Sequence, residues 1–299
     1  MDMLTISNLE KRFGEKEVLN GVSFSVPEHS VFGFIGKNGA GKTTTMKAIL
    51  GLLKPDKGEI LVAGEKVVYG QTKTNQYIGY LPDVPEFYNF MTPYEYLVFC
   101  GEITGMKKNE IPGRVKEMLE LVGLSEEKRR IRGFSRGMKQ RLGIAQALLN
   151  QPKLLICDEP TSALDPIGRK EILDILVKAK EQTTVIFSTH ILSDVERICT
   201  DVAFLNEGQI IIQGTLDEIR SRHSKEEFLL ELERSEDIDK IMLAFPDCKR
   251  IDNTKIQLKN DEKILFAILK YITEQTISIL KIERLEPTLE SLFLEVVKS

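Results

Sequence analysis

The segment Gly36–Thr43 constrains the fold more than any other part of the sequence, because it matches the pattern G-x-x-x-x-G-K-[ST]. It directly follows the continuous apolar run Val31–Ile35, which is typical of a buried strand. A helical pattern then runs from Lys42 to Leu53. A glycine-rich loop that joins a buried strand to a helix is typical of α/β proteins, so we expect that fold class.

The composition of this loop suits phosphate binding. Its glycines allow backbone N–H groups to turn inward around a phosphate, since no Cβ blocks them, and the following helix start adds a positive dipole end. A chance glycine-rich turn is the alternative. We expect Lys42 to reach the β- and γ-phosphates of ATP and the Thr43 hydroxyl to ligate Mg²⁺. The predicted cofactor-binding residues of the loop are Gly36, Lys37, Asn38, Gly39, Ala40, Gly41, Lys42, Thr43 and Thr44.

Two adjacent carboxylates end a second apolar run. The run Leu154–Cys157 stops at Asp158, and Glu159 follows. A carboxylate at a strand end is able to hold Mg²⁺ directly or through water, which predicts that role for Asp158. Glu159 should project differently and orient or deprotonate the attacking water, which makes it the predicted catalytic base. Alone, Asp-Glu-Pro is more often a helix cap and turn, so this interpretation depends on the glycine-rich loop.

A third apolar run, Thr184–Ser188, ends near His190, and helices such as Arg169–Lys180 lie between the runs. Strands that alternate with helices indicate a mostly parallel sheet. Ligands of such sheets bind at the carboxyl ends of the strands, where all three runs place polar residues. The sequence therefore predicts one site at that edge of the sheet.

The N-terminal region predicts an antiparallel β subdomain. Residues Leu4–Val26 have the pattern of short strands with turns at Phe13-Gly14 and Asn20-Gly21. A further stretch, Gly58–Val68, has the pattern of a hairpin that turns at Ala63-Gly64.

The rest of the chain predicts a helical subdomain and a second domain. The pattern is mainly helical between Pro93 and Asn150, so we place a helical subdomain at about 84–150. Residues 214–226 become polar and charged, which predicts two domains, 1–218 and 219–299. The second should be a small α+β domain with ferredoxin-like topology. Its predicted elements are strand Glu227–Leu232, helix Ile238–Ala244, strands near Arg250 and Ile256, helix Glu262–Glu274, strand Ser278–Glu283 and helix Thr288–Val297.

Composition excludes several classes of function. The formal net charge of -4 argues against nonspecific nucleic-acid binding, so no nucleic-acid partner is expected. The basic run Lys128–Arg132 is more often a solvated loop than a binding patch. The 4 cysteines are far apart, which indicates reduced thiols rather than a metal or disulfide framework. No apolar stretch approaches the ~18 residues that span a bilayer, and the N-terminus lacks a signal-peptide pattern. We expect a soluble protein that reaches a membrane only through a partner.

The segment Phe134–Arg141 lies between the glycine-rich loop and the carboxylate pair and leads into a helical stretch. It resembles the signature sequence LSGGQ of ABC-transporter ATPases, in a variant found in many exporter subunits. Ser162–Asp165 is similar to the D-loop of that family, and Ser188–His190 to its switch-histidine segment. The resemblance covers about residues 1–216 with the motifs in family order. It implies the P-loop NTPase fold of ABC ATPases.

The resemblance also implies further site residues. The start of the helix at Ser135–Met138 would cap the γ-phosphate of ATP bound to a second protomer, so that two sites form at a homo- or heterodimer interface. Ser135 should also be the N-cap of that helix. His190 is implied to contact the γ-phosphate and the catalytic base, and Phe13 to stack on adenine, although a residue of either kind is often structural. The cofactor-binding residues implied in this way are Phe13, Ser135, Gly137, Met138 and Asp165.

The sequence departs from the family pattern at several positions. Asp83 stands where the family has the Q-loop glutamine, and its shorter, charged side chain is still able to reach Mg²⁺ or its water. The predicted metal ligands are therefore Thr43, Asp158 and Asp83. Arg136 replaces a signature glycine and adds a cation near the phosphates, whereas Phe134 replaces leucine.

Two segments point to a membrane partner. The aromatic-rich segment Phe87–Phe99 corresponds to the region that, in the family, receives a short cytoplasmic helix of the membrane subunit, so we expect a permease to bind at 83–99. Its first aromatic residues form either an exposed surface or part of the core. The C-terminal stretch Leu285–Phe293 resembles the closing motif of drug-resistance and ABC-2-type exporter ATPases.

The leading hypothesis is an enzyme, the ATP-hydrolysing subunit of an exporter. ATP-driven dimer closure would be coupled to transport through a separate permease at the inner face of the cell membrane. One alternative is a soluble ABC ATPase that acts on nucleic acid or the ribosome. Another is a nucleotide-gated interaction module with little turnover, against which Glu159 and His190 argue.

Overall fold

The computed structural model describes residues 2–71, 73–222, 227–259, 262–285 and 288–298. The chain divides into two compact units, Met1–Leu216 and Asp217–Ser299. Residues of each unit make most of their contacts within that unit. The domain bounds of 1–218 and 219–299 and the helical subdomain at 84–150 stay predictions.

The first unit alternates strands and helices as its sequence predicts. Its strands are β1 (Asp2–Phe13), β2 (Lys16–Pro27), β3 (Val31–Ile35), β4 (Lys57–Val62), β5 (Glu65–Lys66), β6 (Ile78–Leu81), β7 (Leu154–Asp158), β8 (Thr184–Thr189), β9 (Asp201–Asn206) and β10 (Gln209–Thr215). Its helices are α1 (Lys42–Ile49), α2 (Pro93–Ile103), α3 (Ile111–Leu121), α4 (Arg136–Leu148), α5 (Pro166–Ala179) and α6 (Leu192–Ile198). Helix α7 (Leu216–Arg222) crosses the division between the units.

The central sheet has the strand order β10-β9-β3-β8-β7-β6. Its strands run parallel from β9 to β6, and β10 is antiparallel to β9. All residues of β3, β7 and β8 are buried, which is why these three strands are continuous apolar runs in the sequence. Their carboxyl ends share one edge of the sheet. The predicted mostly parallel α/β core is confirmed.

The second sheet of this unit is antiparallel, with the strand order β2-β1-β4-β5. The predicted hairpin turn at Ala63-Gly64 is confirmed, because Val62 pairs with Glu65 and both loop residues have positive φ angles of 50° and 78°. The predicted turn at Asn20-Gly21 is wrong, since β2 continues through it. Between the pairs Leu9–Val22 and Lys11–Leu19, β2 advances three residues and β1 two, so this dipeptide forms a β-bulge.

Two helices differ from their predicted bounds for local reasons. Helix α1 ends at Ile49 rather than Leu53, because Gly51 takes a left-handed φ of 68° and the N–H of Leu52 donates to the carbonyl of Lys47. Helix α5 begins at Pro166 rather than Arg169. The carboxylate of Asp165 accepts from the N–H of Gly168 at 2.9 Å and caps this helix three residues earlier.

The second unit contains β11 (Glu227–Leu232), α8 (Ser235–Ala244), β12 (Lys249–Arg250), β13 (Lys255–Lys259), α9 (Glu262–Glu274), β14 (Ile279–Leu285) and α10 (Leu289–Lys298). Its sheet is antiparallel with the order β12-β13-β11-β14, which is the strand order of the predicted ferredoxin-like topology. The predicted α+β fold of this part is confirmed. Glu286 and Pro287 of the predicted C-terminal motif lie outside the described residues.

None of the helices in the described ranges combines the length and the apolar composition needed to cross a membrane. The longest of them, α5, extends over 14 residues. A bilayer-spanning helix needs about 20 residues.

Gly79 on β6 offers a test of how tightly the central sheet packs against α4. A Cβ at Gly79 would lie 2.1 Å from the carbonyl oxygen of Ala147. We expect Gly79→Ala to destabilise the protein by about 1–3 kcal/mol, measured as a lower midpoint of thermal unfolding. Gly113→Ala is the control, since a Cβ there meets nothing within 4 Å and alanine favours the helix α3. Equal midpoints for the two variants would contradict this packing.

Candidate active site

The loop Gly36–Thr43 joins the buried end of β3 to the start of α1. Two of its positions require glycine for steric reasons. A Cβ at Gly36 would lie 2.6 Å from the carbonyl oxygen of Leu205, and one at Gly41 would lie 2.7 Å from Cδ2 of Leu19. Gly41 also has a left-handed φ of 114°. Since no side chain caps the start of α1, its first N–H groups are available to an anion.

Lys42 is held at the centre of this loop. Its Nζ donates to the carbonyl of Gly36 at 2.6 Å and to that of Lys37 at 3.3 Å. It also forms an ion pair with Glu159, with Nζ 3.0 Å from Oε1. Both side chains are largely buried, at 6% and 13% exposure, so each charge depends on the other for compensation.

Asp158 ends β7 in a buried position next to the loop. Its Oδ2 accepts from the Thr43 hydroxyl at 2.8 Å and its Oδ1 from the Ser188 hydroxyl at 2.5 Å. The structure therefore brings together two of the three predicted metal ligands. Carboxylate and hydroxyl oxygens are the donors that a hard cation prefers, so this pair fits Mg²⁺ with water completing the shell.

Glu159 lies between a lysine and a histidine. Its Oε2 is 2.9 Å from Nδ1 of His190, while Oε1 faces Lys42. Its backbone takes a left-handed φ of 47°, which costs on the order of 1 kcal/mol for a residue with a Cβ. The N–H of Glu159 donates to the carbonyl and the hydroxyl of Ser188, which holds it in this conformation. The two predicted catalytic residues are thus in direct contact.

These groups open onto a cleft of about 630 Å³. It brings together many of the predicted residues from separate parts of the chain. The cleft is lined by Phe13, Lys16, Val18, Asn38, Gly39, Gly41, Lys42, Thr43, Thr44, Asp83, Glu159, Ser162 and His190. The Phe13 side chain is half exposed, and the Lys11 ammonium lies 5.5 Å from its ring centroid. The cleft therefore offers an aromatic face at one part of its wall and the phosphate-binding loop at another.

The predicted cofactor-binding residues of the signature and D-loop do not line this cleft, although Ser162 of the D-loop segment does. Ser135 is the N-cap of α4, as predicted, and accepts from the N–H of Met138 at 3.2 Å. Gly137 lies in the first turn of the same helix, where a Cβ would meet only Leu164. Asp165 caps α5. Together they form a second group of residues, apart from the cleft of their own chain.

Asp83 follows β6 and is tied to α4 by two contacts. Its carbonyl accepts from Nε2 of the buried Gln140 at 2.7 Å. Its carboxylate accepts from the Arg136 guanidinium at 3.2 Å. The side chain lines the cleft, as expected of a metal ligand, but its observed partner is this arginine.

Sequence reasoning missed the structural role of Ser188. Its hydroxyl donates to Asp158 and accepts from the N–H of Glu159, so it fixes both carboxylate residues. The register of the two parallel strands would have revealed this role, because it pairs Ser188 with Asp158.

Burial and the nearby Asp158 charge raise the pKa of Tyr80 to about 12, so this neighbouring phenol carries no charge at physiological pH.

Comparison with known families assigns both parts of the chain. A family described as "ABC transporter" matches residues 19–162. A second, described as "ATP-binding protein DrrA1-3-like, C-terminal domain", matches residues 214–297. The first match contains the glycine-rich loop, the signature segment and the carboxylate pair, and the second contains the α+β unit.

Relatives match over nearly the whole chain. The linearmycin resistance ATP-binding protein LnrL of Bacillus subtilis is 35% identical, over 98% of this chain and 98% of its own length. The bacitracin transport ATP-binding protein BcrA of Bacillus licheniformis is 36% identical, over 99% and 97%. A solved structure of an ATP-binding subunit of an ABC transporter superposes with a TM-score of 0.65 at 33% identity, over 74% of this chain and 92% of that one.

Removal of the Ser188 hydroxyl tests whether Asp158 and Glu159 need their hydrogen bonds to this side chain for activity. We expect Ser188→Ala to slow phosphate release from ATP by about 10- to 100-fold, because outer contacts of metal ligands have effects of that size. Ser30→Ala is the control, since it removes the hydroxyl of another buried serine, next to the amino end of β3. An unchanged rate in the Ser188 variant would show that the carboxylates are positioned without it.

Proposed function

The chain belongs to the ABC transporter family of ATP-binding proteins, whose members hydrolyse ATP to power transport, and we propose that it is the ATP-hydrolysing subunit of an export complex with a separate membrane subunit. The observation that carries the proposal is the contact of Lys42 and His190 with the Glu159 carboxylate beside the glycine-rich loop. In this proposal these groups would surround the point where the γ-phosphate of ATP meets the attacking water.

ATP would bind with its phosphates on the loop Gly36–Thr43. Inward-facing N–H groups and the start of α1 favour the negative charge, and Lys42 pairs with the β- and γ-phosphates. The exposed ring of Phe13 supplies a face for adenine. The part of the cleft that would bind the phosphates is thus distinct from the part that would bind adenine.

Mg²⁺ would be held by Thr43 and Asp158, whose oxygens already lie 2.8 Å apart, with Asp83 at the edge of the cleft. When bound, the ion would offset charge on the phosphate oxygens. Ser188 would keep Asp158 oriented before and after nucleotide binding, because its hydrogen bond to Asp158 does not involve the nucleotide.

Glu159 would act as the base for the attacking water. In the lone chain its carboxylate is paired with Lys42. A γ-phosphate that attracts Lys42 weakens this pair and leaves the carboxylate free to accept a proton from water. His190 remains in contact on the other side and orients both Glu159 and the phosphate. Binding of the substrate would in this way activate the base.

Complete sites would form between two copies of the chain or between this chain and a similar one. The start of α4 at Ser135–Met138 is a helix N-terminus whose residues do not line the cleft of their own chain. A second protomer would present its γ-phosphate there, and Asp165 would lie at the same interface. Binding of ATP therefore needs one chain, whereas efficient hydrolysis needs two.

The permease would dock on residues 83–99. Three aromatic side chains of this segment are exposed, Tyr88 at 51%, Phe90 at 63% and Tyr94 at 46%. The segment is bonded to the loop that precedes the signature helix, because the N–H of Ile131 donates to the carbonyl of Met91 at 2.9 Å. Closure of the dimer would therefore move the docking surface. The complex would place this subunit at the inner face of the cell membrane.

The names of the relatives support export. LnrL is named for linearmycin resistance and BcrA for bacitracin transport, and they match 98% and 99% of this chain. The family match over residues 214–297 extends the likeness to the α+β unit. The membrane subunit would select the transported compound, since the cleft described above is formed for a nucleotide.

Glu159→Gln tests the proposed base. We expect phosphate release to fall at least 100-fold while ATP binding persists, because the amide cannot accept the proton. The ATP-bound dimer should accumulate and elute earlier in size-exclusion chromatography. Glu181→Gln, at an exposed position, is the control, and adding Lys42→Ala should abolish both binding and dimer. Continued phosphate release near the parent rate would mean that another group is the base.

Phe90→Ala tests the docking surface. We expect the chain to lose its co-purification with a polytopic membrane protein while ATP binding in solution stays normal, since Phe90 does not line the cleft. Phe266→Ala is the matched control, because Phe266 is as exposed, at 66%, but belongs to the second unit. Equal recovery of the membrane protein with both variants would place the contact elsewhere.

A further inference from the structure

Asp83 and Arg136 form an ion pair that joins the edge of the cleft to the start of the signature helix. The guanidinium donates to the carboxylate at 3.2 Å. At both positions the chain departs from the family pattern and gains a charge, with aspartate in place of glutamine and arginine in place of glycine. In the structure the two substituted residues contact each other.

The helix start explains why the pair is needed. Arg136 is the first residue of α4, and a cation there is opposed by the positive end of the helix dipole. The nearby carboxylate of Asp83 compensates both the guanidinium and the dipole. An anion of higher charge at the same place would do so more strongly, and phosphate also matches the planar guanidinium.

The pair is built so that it is able to open. The Asp83 and Arg136 side chains are 48% and 42% exposed, and ion pairs at such positions contribute little to stability. The backbone of Asp83 is fixed independently, because its carbonyl accepts from the buried Gln140. Breaking the ion pair therefore leaves the turn attached to α4 and frees only the two side chains.

We propose that Arg136 is an additional phosphate-binding residue and that Asp83 holds it until the terminal phosphate of a nucleoside triphosphate on a second protomer replaces the carboxylate. The inference rests on the proposed function, because it requires the dimer. Arg136 then contacts the partner's nucleotide, and the Asp83 carboxylate stays at the cleft of its own chain without this partner. A nucleoside diphosphate lacks the terminal phosphate and leaves the pair closed, so the exchange favours dimers with ATP over dimers with ADP.

The test uses the full chain carrying Glu159→Gln, whose dimerisation is followed by sedimentation equilibrium with Mg-ATP or Mg-ADP. Arg136→Ala should raise the chain concentration for half-dimerisation with ATP about tenfold, since exposed charge-assisted contacts to phosphate have effects of that order. Asp83→Asn should lower that concentration about threefold and allow measurable dimers with ADP, because Arg136 is no longer held.

The double variant separates this inference from a direct role of Asp83. Because Asp83 acts through Arg136, adding Asp83→Asn to Arg136→Ala should change nothing further. If Asp83→Asn changed the half-dimerisation concentration equally with and without Arg136→Ala, the inference would be overturned. That result would favour a role of Asp83 as a metal ligand alone. Circular dichroism checks that each variant is folded.

A similar ion pair serves as the control. Arg197 and Asp174 are 3.1 Å apart and 41% and 50% exposed, and neither lines the cleft. Asp174→Asn and Arg197→Ala should leave dimerisation unchanged. If the Glu159→Gln chain forms no dimer with ATP, the proposed function itself fails. If it dimerises and Arg136→Ala dimerises equally well, the inference alone is overturned.

Discussion

The site depends on the Glu159 carboxylate, which is in contact with Lys42 on one side and His190 on the other. A largely buried carboxylate needs such partners, because its charge is costly away from water. The same contact keeps the lysine compensated within the glycine-rich loop. Under the proposed function, a polyphosphate bound there would compete for Lys42 directly, so that substrate binding and release of the Glu159 carboxylate would be one electrostatic event.

The parallel sheet makes this contact possible. Strands β3, β7 and β8 end at the same edge, and the register that pairs Asp158 with Ser188 also places Glu159 and His190 side by side. The strained backbone of Glu159 is held by two hydrogen bonds from its N–H to Ser188. The sheet therefore supplies rigidity, and the residues just beyond its strands supply the chemistry.

The sequence predicted what depends on local pattern. Buried strands such as Val31–Ile35 and the glycine-rich loop were recognisable because burial and φ angles restrict residue type. The turn predicted at Asn20-Gly21 failed because the N–H of Asn20 donates to the carbonyl of Gly208 in the turn between β9 and β10, so a distant part of the chain holds the dipeptide as a bulge within β2. Ser188 escaped for the same reason, since its partners lie 29 and 30 residues away and are set by sheet register.

Asp83 and Arg136 extend this argument to departures from a family pattern. In the sequence they are separate changes, 53 residues apart, and each one adds a charge that the family pattern lacks. A carboxylate replaces a neutral amide beside the proposed Mg²⁺ site, and a cation is added at a helix start. In three dimensions each charge compensates the other at 3.2 Å. A departure from a motif is therefore best judged by what it contacts, because a second departure elsewhere in the chain is able to restore the balance of charge.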